Sequence, residues 1–441
     1  MPRIAVVICH HNRPGVLGPL LDSLRAQTAA GELAIFLVDN GSTDGSAAEA
    51  VAYPEVTVLA TGANRGGTGG FNFGLAEVQR RGGWDAVLLL DNDVTLAPGA
   101  VAAMQEVLDT RPRAGMVTGT VYFAHERELI QETGALLIPA TGDLLPRFHR
   151  RYDDGSYVDT VAVDYAGACL LMVRGATLAQ IGLMDDSYFL YWDDIDWCCR
   201  ARAAGWDVIA APAAKCWHRG GLNVRRTTGY HYYKLRNRLR FWKRWATAEE
   251  WPGIVAAIGR EVATMRAVAA WQQRPALAAT LLDALRDAAG GVTGMAPAGR
   301  IRELAPGPGR PALSGPVAVF DWDADEEIRY QTLFRVTELL RQWLPDAAIN
   351  LVAVQPPEYE LYLLLRQRNI TVTMSGEVAA NTIIAPCEHA WLQRDNPCAA
   401  ALPPELVWWC DRHSNVVSGS QPCITADGDS ELAGVLAQLR H

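Results

Sequence analysis

The sequence predicts an α/β protein whose first domain has a mainly parallel sheet with helices on both faces. Within the first 120 residues, short apolar runs typical of buried strands alternate with segments of helical periodicity. Such alternation is typical of repeated strand–helix–strand units, which form parallel sheets. One apolar run leads directly into acidic residues, and the carboxyl ends of the strands in such a sheet line its ligand crevice.

The predicted strands and helices follow one another without long gaps. Apolar runs predict strands at residues 4–8, 34–38, 56–59 and 86–90. Between them, apolar residues at helical spacing predict helices at 16–27 and 70–79. From residue 122 to residue 163 the periodicity is weaker, which indicates hairpins and loops.

Composition divides the chain into four parts. Residues 1–245 hold the α/β pattern, and residues 246–289 form a helical, amphipathic extension. Glycine and proline accumulate at 290–315, which marks a linker. Residues 316–441 are predicted to form a second, smaller α/β domain. Its strands are predicted at 317–320, 349–354, 370–374 and 382–385, with a helix at 328–343.

Charge and cysteine content narrow the classes of function. The formal net charge of -9 at pH 7 argues against a nucleic-acid-binding protein. Nine cysteines without CxxC pairs or zinc-finger spacing indicate free thiols in a reducing, cytoplasmic compartment. The sequence shows no signal-peptide pattern and no apolar run of the about 18 residues that cross a bilayer. We therefore expect a cytoplasmic protein without a membrane span.

One segment, residues 221–245, contains no acidic residue and is rich in lysine, arginine and aromatic residues. Its basic residues are Arg225, Arg226, Lys234, Arg236, Arg238, Arg240, Lys243 and Arg244. Its large apolar and aromatic residues fall on one helical face. Such a helix either lies on the anionic inner face of the cell membrane or packs its aromatic face on the first domain with its basic face solvated. The sequence leaves both interpretations open.

Two short acidic strings say most about function. Asp91-Asn92-Asp93 follows the apolar run at 86–90, and Trp192-Asp193-Asp194-Ile195-Asp196 lies about a hundred residues later. Carboxylates at the end of a buried strand are costly unless a cation meets them. At the ligand crevice of an α/β sheet, a divalent metal on a phosphate is the natural partner. The two strings together indicate metal-assisted transfer from a nucleotide donor.

The order of motifs over about residues 4–240 resembles the family 2 glycosyltransferases, which have the Rossmann-like GT-A fold, and in particular their bacterial rhamnosyltransferase and galactofuranosyltransferase branches. The motifs that carry the resemblance are, in chain order, His11-Asn12-Arg13, Val38-Asp39-Asn40-Gly41-Ser42-Thr43-Asp44, Asn64-Arg65-Gly66-Gly67-Thr68-Gly69-Gly70, Asp91-Asn92-Asp93, Gly167-Ala168-Cys169-Leu170, Trp192-Asp193-Asp194, His218 and Tyr232-Tyr233-Lys234-Leu235-Arg236-Asn237. A series of this length is far more specific than any single motif in it.

The resemblance implies a role for each matching residue. The nucleotide-sugar donor is implied to bind His11, Arg13, Asp39, Asn64, Gly66, Gly67, Asp91 and Asn92. A divalent metal, Mn²⁺ or Mg²⁺, is implied to bind Asp91, Asp93 and His218. Asp194 is implied to be the catalytic base, and Trp192, Asp193 and Trp217 to contact sugar or acceptor. Asp196 is interpreted as a structural carboxylate at a helix start.

The resulting expectation is an inverting transferase of bacterial surface polysaccharide synthesis. It would move a sugar, rhamnosyl or galactofuranosyl, from a UDP- or dTDP-linked donor to a glycan or lipid-linked glycan. An NAD-dependent oxidoreductase is disfavoured, because its glycine fingerprint should follow the first strand directly and Cys9-His10-His11-Asn12-Arg13-Pro14 stands there. A non-catalytic nucleotide-sugar- or glycan-binding protein remains the alternative, and sugar turnover separates it from an enzyme.

Overall fold

The computed structural model of the chain describes residues 2–27, 32–149, 151–220, 227–271, 274–304, 317–321, 349–353, 370–374, 382–386, 407–410, 416–418 and 430–439. The chain divides into two compact units. The first consists of Met1–Glu261, Ala279–Glu303 and Glu431–His441, and the second of Val262–Ala278 and Leu304–Ser430. All residues that the sequence assigned to the site lie in the first unit.

Four parallel strands form one half of the sheet of the first unit, in the order β4-β1-β2-β3. Their bounds are Arg3–His10 (β1), Glu32–Asp39 (β2), Val56–Ala60 (β3) and Ala86–Asp91 (β4). Both faces of β1 are buried, with Val6 in one core and Val7 in the other. A strand buried on both faces lacks polar alternation, which is why the apolar runs identified these strands. The predicted α/β fold with parallel central strands is confirmed.

The other half of the sheet mixes both kinds of pairing. Strand β11 (Leu170–Arg174) lies antiparallel between β4 and β6 (Ala114–Phe123), and β12 (Asp207–His218) runs parallel to β6. Three short strands border them: Val94–Leu96 (β5), Glu126–Glu132 (β7) and Val161–Ala162 (β10). A separate hairpin is formed by Ala135–Ile138 (β8) and Asp143–Pro146 (β9). These hairpins occupy the segment in which the sequence shows weak periodicity.

Helices cover both faces of this sheet. One face carries Leu17–Arg25 (α1) and Ala100–Thr110 (α3). The other carries Gly66–Arg81 (α2), Gly175–Ile181 (α4) and Asp193–Ala203 (α5). Four more helices follow along the chain: Gly229–Trp245 (α6), Trp251–Trp271 (α7), Pro275–Ala289 (α8) and Ser430–Leu439 (α9). Among the described helices, none combines the length and hydropathy needed to cross a bilayer.

Helix α6 is packed into the first unit through both its aromatic and its basic residues. The aromatic face is buried, in agreement with one of the two interpretations that the sequence left open. Arg236 and Arg238 are also buried, at 0% and 4% exposure, and donate to backbone carbonyl groups. Arg240 and Arg244 form ion pairs with carboxylates of the first unit. The expectation of a solvated basic face is therefore wrong for Arg236 and Arg238, whereas the Arg244 side chain is 48% exposed beside its partner. Residues 225–226 lie outside the described part.

The second unit contains a six-stranded sheet in the order β15-β14-β13-β16-β17-β18, whose last pair is antiparallel and whose other described pairs are parallel. The strands are Val317–Asp321 (β13), Ile349–Ala353 (β14), Ile370–Met374 (β15), Thr382–Pro386 (β16), Val407–Cys410 (β17) and Val416–Ser418 (β18). The first four agree with the predicted strands to within one residue at each end. The helix predicted at 328–343 and residues 305–315 of the predicted linker lie outside the described residues.

Candidate active site

Three potential metal ligands meet where β4 and β12 end. Asp91 is the last residue of β4, Asp93 follows in the turn, and His218 is the last residue of β12, opposite Val94 of β5. One ligand atom from each of the three lies within 4.8 Å of the others. His218 Nε2 is 3.2 Å from an Asp93 oxygen and 3.6 Å from an Asp91 oxygen. Carboxylate ligands suit both Mn²⁺ and Mg²⁺, and the added imidazole favours Mn²⁺ over Mg²⁺.

The orientation of His218 supports a metal ligand. Its Nδ1–H donates to Gln131 Oε1 over 3.1 Å, so Nε2 is the ring nitrogen that faces the two carboxylates. Metal-binding histidines generally donate their second ring N–H to such an outer partner, which fixes the tautomer and the ring plane. The residues present therefore fit a divalent cation.

The acids of this group repel one another and are only partly neutralised. Burial raises the pKa of Asp91 to about 6, against the attraction of His218 and with a contribution from the charge of Asp93. Burial also raises the pKa of Asp93, but its hydrogen bond with His218 and the charges of His218 and Arg13 outweigh burial, so the net shift is downward. Arg13 reaches Asp93 Oδ2 at 2.5 Å. A bound cation would stabilise both ionised carboxylates.

Asp39, at the end of β2, lies two strands away from Asp91. In register, Asp39 stands opposite His10 of β1 while Asp91 stands opposite Cys9. Because adjacent strands are about 4.8 Å apart, roughly 10 Å separates the two positions across the sheet. The Asp39 side chain accepts the backbone N–H of Ser42 over 2.9 Å. This spacing leaves room for a ligand that extends across the strand ends.

His11 lies in the loop between these two positions. Its Nε2 accepts a hydrogen bond from Asn64 Nδ2 over 3.2 Å, which places the ring proton on Nδ1. That Nδ1 is buried and has no hydrogen-bond partner within the described part of the chain. An unpaired buried donor is costly, so an acceptor on a ligand would stabilise it.

The glycine run at the start of α2 packs closely against other residues of the chain and does not face an open crevice. Gly66 has φ +75°, and a Cβ there would lie 2.1 Å from Phe189 O. A Cβ on Gly67 would lie 3.2 Å from a Leu190 methyl group. These glycines therefore let α2 approach the loop before α5. A nucleotide contact by Gly66 and Gly67 stays a prediction.

Asp193 and Asp194 are the first two residues of α5 and point to different partners. Thr68 Oγ1 donates to Asp193 Oδ2 over 2.7 Å. Asp194 Oδ2 accepts from Tyr165 OH at 3.0 Å and from the Ala168 backbone N–H at 3.1 Å. Burial, followed by the charge of Asp193, raises the pKa of Asp194 to about 8. A carboxylate of this basicity accepts protons better than an ordinary one.

A model of a known protein family, described as glycosyltransferase like family 2, matches residues 2–246 of the 441. The chain belongs to this family. Two relatives from Mycobacterium tuberculosis are similar to it over less than half its length. An N-acetylglucosaminyl-diphospho-decaprenol L-rhamnosyltransferase is 30% identical over 218 residues, covering 45% of this chain and 70% of the relative. The galactofuranosyltransferase GlfT1 is 28% identical over 213 residues, covering 44% and 62%.

Solved structures give weaker likenesses. GalNAc-T7 with UDP, GalNAc and Mn²⁺ aligns with a TM-score of 0.47 at 15% identity, over 59% of this chain and 51% of that one. The mannosyltransferase PcManGT from Pyrobaculum calidifontis, with GDP-Man and Mn²⁺, aligns with a TM-score of 0.41 at 16% identity, over 66% and 86%.

The site of this family 2 glycosyltransferase includes residues that the sequence analysis missed. Glu132, the last residue of β7, is close to Tyr165, because a Cβ on Gly167 would lie 2.7 Å from Glu132 Oε1 and 2.9 Å from Tyr165 OH. Burial raises the pKa of Glu132 to about 7, against the attraction of His218 and with a contribution from Asp91. Both missed residues lie in the segments between recognisable motifs, where no pattern marks them.

Three residues predicted to contact donor or acceptor are packed against other residues of the glycosyltransferase, and their ligand contacts stay predictions. Asn92 Nδ2 donates to His10 Nδ1 over 3.0 Å in a buried pair. Trp192 is 2% exposed, and its ring packs 5.1 Å from that of Phe241. Trp217 neighbours His218 in β12 but points to the opposite face. It stacks 6.1 Å from the ring of Tyr122, with the guanidinium group of Arg127 3.8 Å from its own centroid. An open sugar-stacking face on Trp192 is therefore not what the structure shows.

Proposed function

We propose that this protein is an inverting, metal-dependent glycosyltransferase of bacterial surface polysaccharide synthesis. It moves a rhamnosyl or galactofuranosyl group from a UDP- or dTDP-linked donor to a glycan or lipid-linked glycan. The observation that carries the proposal is that Asp194 and the Asp91, Asp93 and His218 group meet at the same turn before β11. The Ala168 N–H donates to Asp194 Oδ2 over 3.1 Å, and the Asp91 N–H donates to the carbonyl of the next residue, Cys169, over 3.3 Å. The names of the two relatives support the choice of sugar and of a lipid-linked acceptor.

The donor would lie across the strand ends from Asp39 to Asp91. Asp39 and His11 would receive the nucleoside, because the Nδ1 of His11 is a buried donor without a protein partner. Arg13, whose side chain is 30% exposed beside Asp93, would meet the diphosphate. Asp91, Asp93 and His218 would hold a divalent cation, which would neutralise charge on the leaving nucleoside diphosphate.

Asp194 would serve as the general base. The acceptor hydroxyl oxygen forms a bond to the anomeric carbon, the bond from that carbon to the diphosphate breaks, and the hydroxyl proton passes to Asp194. A single displacement of this kind inverts the anomeric configuration. Tyr165 and the Ala168 N–H hold Asp194 Oδ2 in place for the transfer. General base catalysis of this type contributes about 10²- to 10⁴-fold in rate.

The proposal is tested by screening UDP- and dTDP-sugars with Mn²⁺, with and without a lipid-linked glycan acceptor. The variants are Asp93→Ala, Asp194→Asn and, as a matched control, Asp207→Asn, whose carboxylate pairs with Arg113 away from the site. We expect Asp93→Ala to lose metal-dependent donor binding. Asp194→Asn should bind the donor normally but transfer sugar about 10²- to 10⁴-fold more slowly, and Asp207→Asn should match the wild type.

Two readouts decide between the alternatives. Inversion is read from the anomeric coupling of the product by NMR. Nucleoside diphosphate binding without turnover of any donor would favour a binding protein and reject the enzyme. Full activity of Asp194→Asn would reject this residue as the base.

A further inference from the structure

The loop that leads into α5 has an unusual backbone. Five non-glycine residues among the described ones have positive φ, and three of them lie here: Phe189 at 67°, Tyr191 at 64° and Trp192 at 69°. Left-handed conformations are costly for bulky L-residues. Such residues persist only where surrounding contacts impose them, and they concentrate at functional sites. Some part of the structure must therefore hold this loop.

The loop is held by hydrogen bonds to four successive carbonyl groups. Asn237 Nδ2 lies 2.9, 2.7 and 3.1 Å from the carbonyl oxygens of Tyr188, Leu190 and Tyr191. Arg236 also donates to Tyr188 O over 3.1 Å. The fourth carbonyl, that of Phe189, accepts from the Thr68 backbone N–H over 3.3 Å. Three of the four groups thus share the two N–H groups of one side-chain amide, and Tyr188 O has Arg236 as a second donor.

Asn237 is itself fixed in place. It is fully buried on α6, and its Oδ1 accepts from Arg236 Nε over 2.9 Å. Arg236 is buried as well, and its Nη1 donates to the carbonyl oxygen of Gly294 over 2.9 Å. The donor that holds the loop is therefore on a helix and is locked by a neighbouring guanidinium group, so it has one available position.

The held loop ends at the two acids of the site. Trp192, the last left-handed residue, directly precedes Asp193 and Asp194, so the backbone angles of the loop set where both carboxylates lie. Thr68 connects the loop with the first of these acids, because its N–H donates to Phe189 O and its hydroxyl group donates to Asp193. A shift of the loop would move Asp194 away from the acceptor without touching the donor ligands on β2, β4 and β12.

We propose that Asn237, fixed by Arg236, is a positioning residue for sugar transfer that places Asp194 by holding the carbonyl groups of the preceding loop. The inference rests on the proposed function of Asp194 as base. It assigns a task to the Arg236-Asn237 pair, which the sequence singled out only as the end of a motif.

The test is Asn237→Asp in the full chain. A carboxylate keeps the size of the side chain and its bond with Arg236, but it cannot donate to the three carbonyl groups. We expect kcat to fall about 10²-fold, the loss that follows a displacement of roughly 1 Å in a catalytic group. The KM for the donor and the affinity for the nucleoside diphosphate with Mn²⁺ should stay within about twofold of wild type.

The matched control is Asn72→Ala. Asn72 is a buried asparagine of α2 that holds an earlier part of the same segment, at Met184, by two backbone hydrogen bonds. This variant should lower the melting temperature while leaving kcat within about twofold. Asn237→Ser, which can donate one hydrogen bond, is a second variant that tests the inference if Asn237→Asp does not fold. Its kcat should lie between that of the wild type and the about 10²-fold loss expected for Asn237→Asp.

The outcomes separate this inference from the proposed function. If the wild type transfers no sugar from any donor, the proposed function fails. If the wild type is active and Asn237→Asp and Asn237→Ser retain wild-type kcat, Asn237 has no positioning role. Equal losses of kcat in Asn72→Ala and Asn237→Asp would show general destabilisation, and a parallel loss of nucleotide affinity in Asn237→Asp would do the same. Either result would overturn the inference.

Discussion

At the scale of single residues, the pKa of Asp194 depends on two opposing kinds of neighbour. Burial and the charge of Asp193 raise it to about 8, while the donors Tyr165 and Ala168 lower it. Because Asp194 acts as a base only when ionised, kcat should rise with pH through this region and be lost as the pH falls. Each donor that is removed from the ionised carboxylate should move that rise to higher pH.

We therefore predict that Tyr165→Phe shifts the acidic limb of the kcat–pH profile upward by about one unit. The reason is that a hydrogen bond to a charged group contributes about 1.5 kcal/mol, and one pKa unit equals 1.36 kcal/mol. The control is Tyr53→Phe, which removes a hydroxyl group that binds Asp22 and should leave the profile unchanged. An unshifted limb in Tyr165→Phe would argue against Asp194 as the titrating base.

The sequence does not reveal the side-chain directions around the two acids. The sequence locates Trp192 beside the acids, but its side-chain direction follows from three left-handed backbone angles that no pattern reveals. Asp196 could be interpreted correctly as structural, because a carboxylate in the first turn of a helix commonly stabilises that turn. Its oxygens accept from Trp245 Nε1 and Arg200 Nε. Glu132 was missed because it reaches the site through the irregular pairing of β7 with β6, where Val121 stands opposite it, and the sequence pattern does not show this register.

At the scale of elements, the parallel strands were predictable because both of their faces are buried, which leaves continuous apolar runs. The ends of α2 were harder to predict than the strands. The sequence predicted a helix at 70–79, whereas the helix is Gly66–Arg81. Four glycines in its first five residues hide the helical pattern, since glycine has low helix propensity. Close packing outweighs propensity here, because a Cβ on Gly66 or Gly70 would lie 2.1 or 2.3 Å from the nearest atom of Phe189 or Cys9.

This packing predicts a difference between two glycines of the same backbone conformation. Gly62 and Gly66 both have φ +75°, but a Cβ on Gly62 would meet no atom within 4 Å. Gly62→Ala should lower the free energy of unfolding by about 1–2 kcal/mol, the cost of left-handed backbone, and leave kcat within twofold. Gly66→Ala should additionally displace the loop at Phe189 and lower kcat by about 10²-fold.

The measurement combines urea unfolding with steady-state kinetics on both variants. Gly66→Ala with normal kcat would mean that the loop before α5 tolerates displacement without moving the acids. That result would weaken the argument that this loop sets the position of Asp194.

At the scale of the whole molecule, the first unit is assembled from three stretches of the chain. The polypeptide leaves this unit after Glu303 and returns at Glu431. The sequence analysis predicted a simple order of domains with a linker at 290–315, but residues up to Glu303 belong to the first unit, since composition does not show which segment packs on which core. Trp251 Nε1 of α7 donates to Leu439 O of α9 over 2.8 Å. A Cβ on Gly259 would lie 2.6 Å from Leu436 Cδ1, so α7 and α9 are in close contact.

Helix α9 should therefore contribute to the stability of the catalytic unit, although its sequence follows the strands of the second unit. Leu432 is completely buried, and truncating a buried leucine to alanine costs about 2–5 kcal/mol. We predict that Leu432→Ala lowers the midpoint of the unfolding transition that carries transferase activity. Leu136→Ala, at a leucine that is 38% exposed on β8, is the matched control and should cost less than about 1 kcal/mol. Thermal unfolding followed by residual activity measures both, because the proposed site residues all lie in the first unit. If Leu432→Ala shifted only a transition that leaves activity intact, α9 would stabilise the second unit instead, and the assignment of residues 431–441 to the first unit would be wrong.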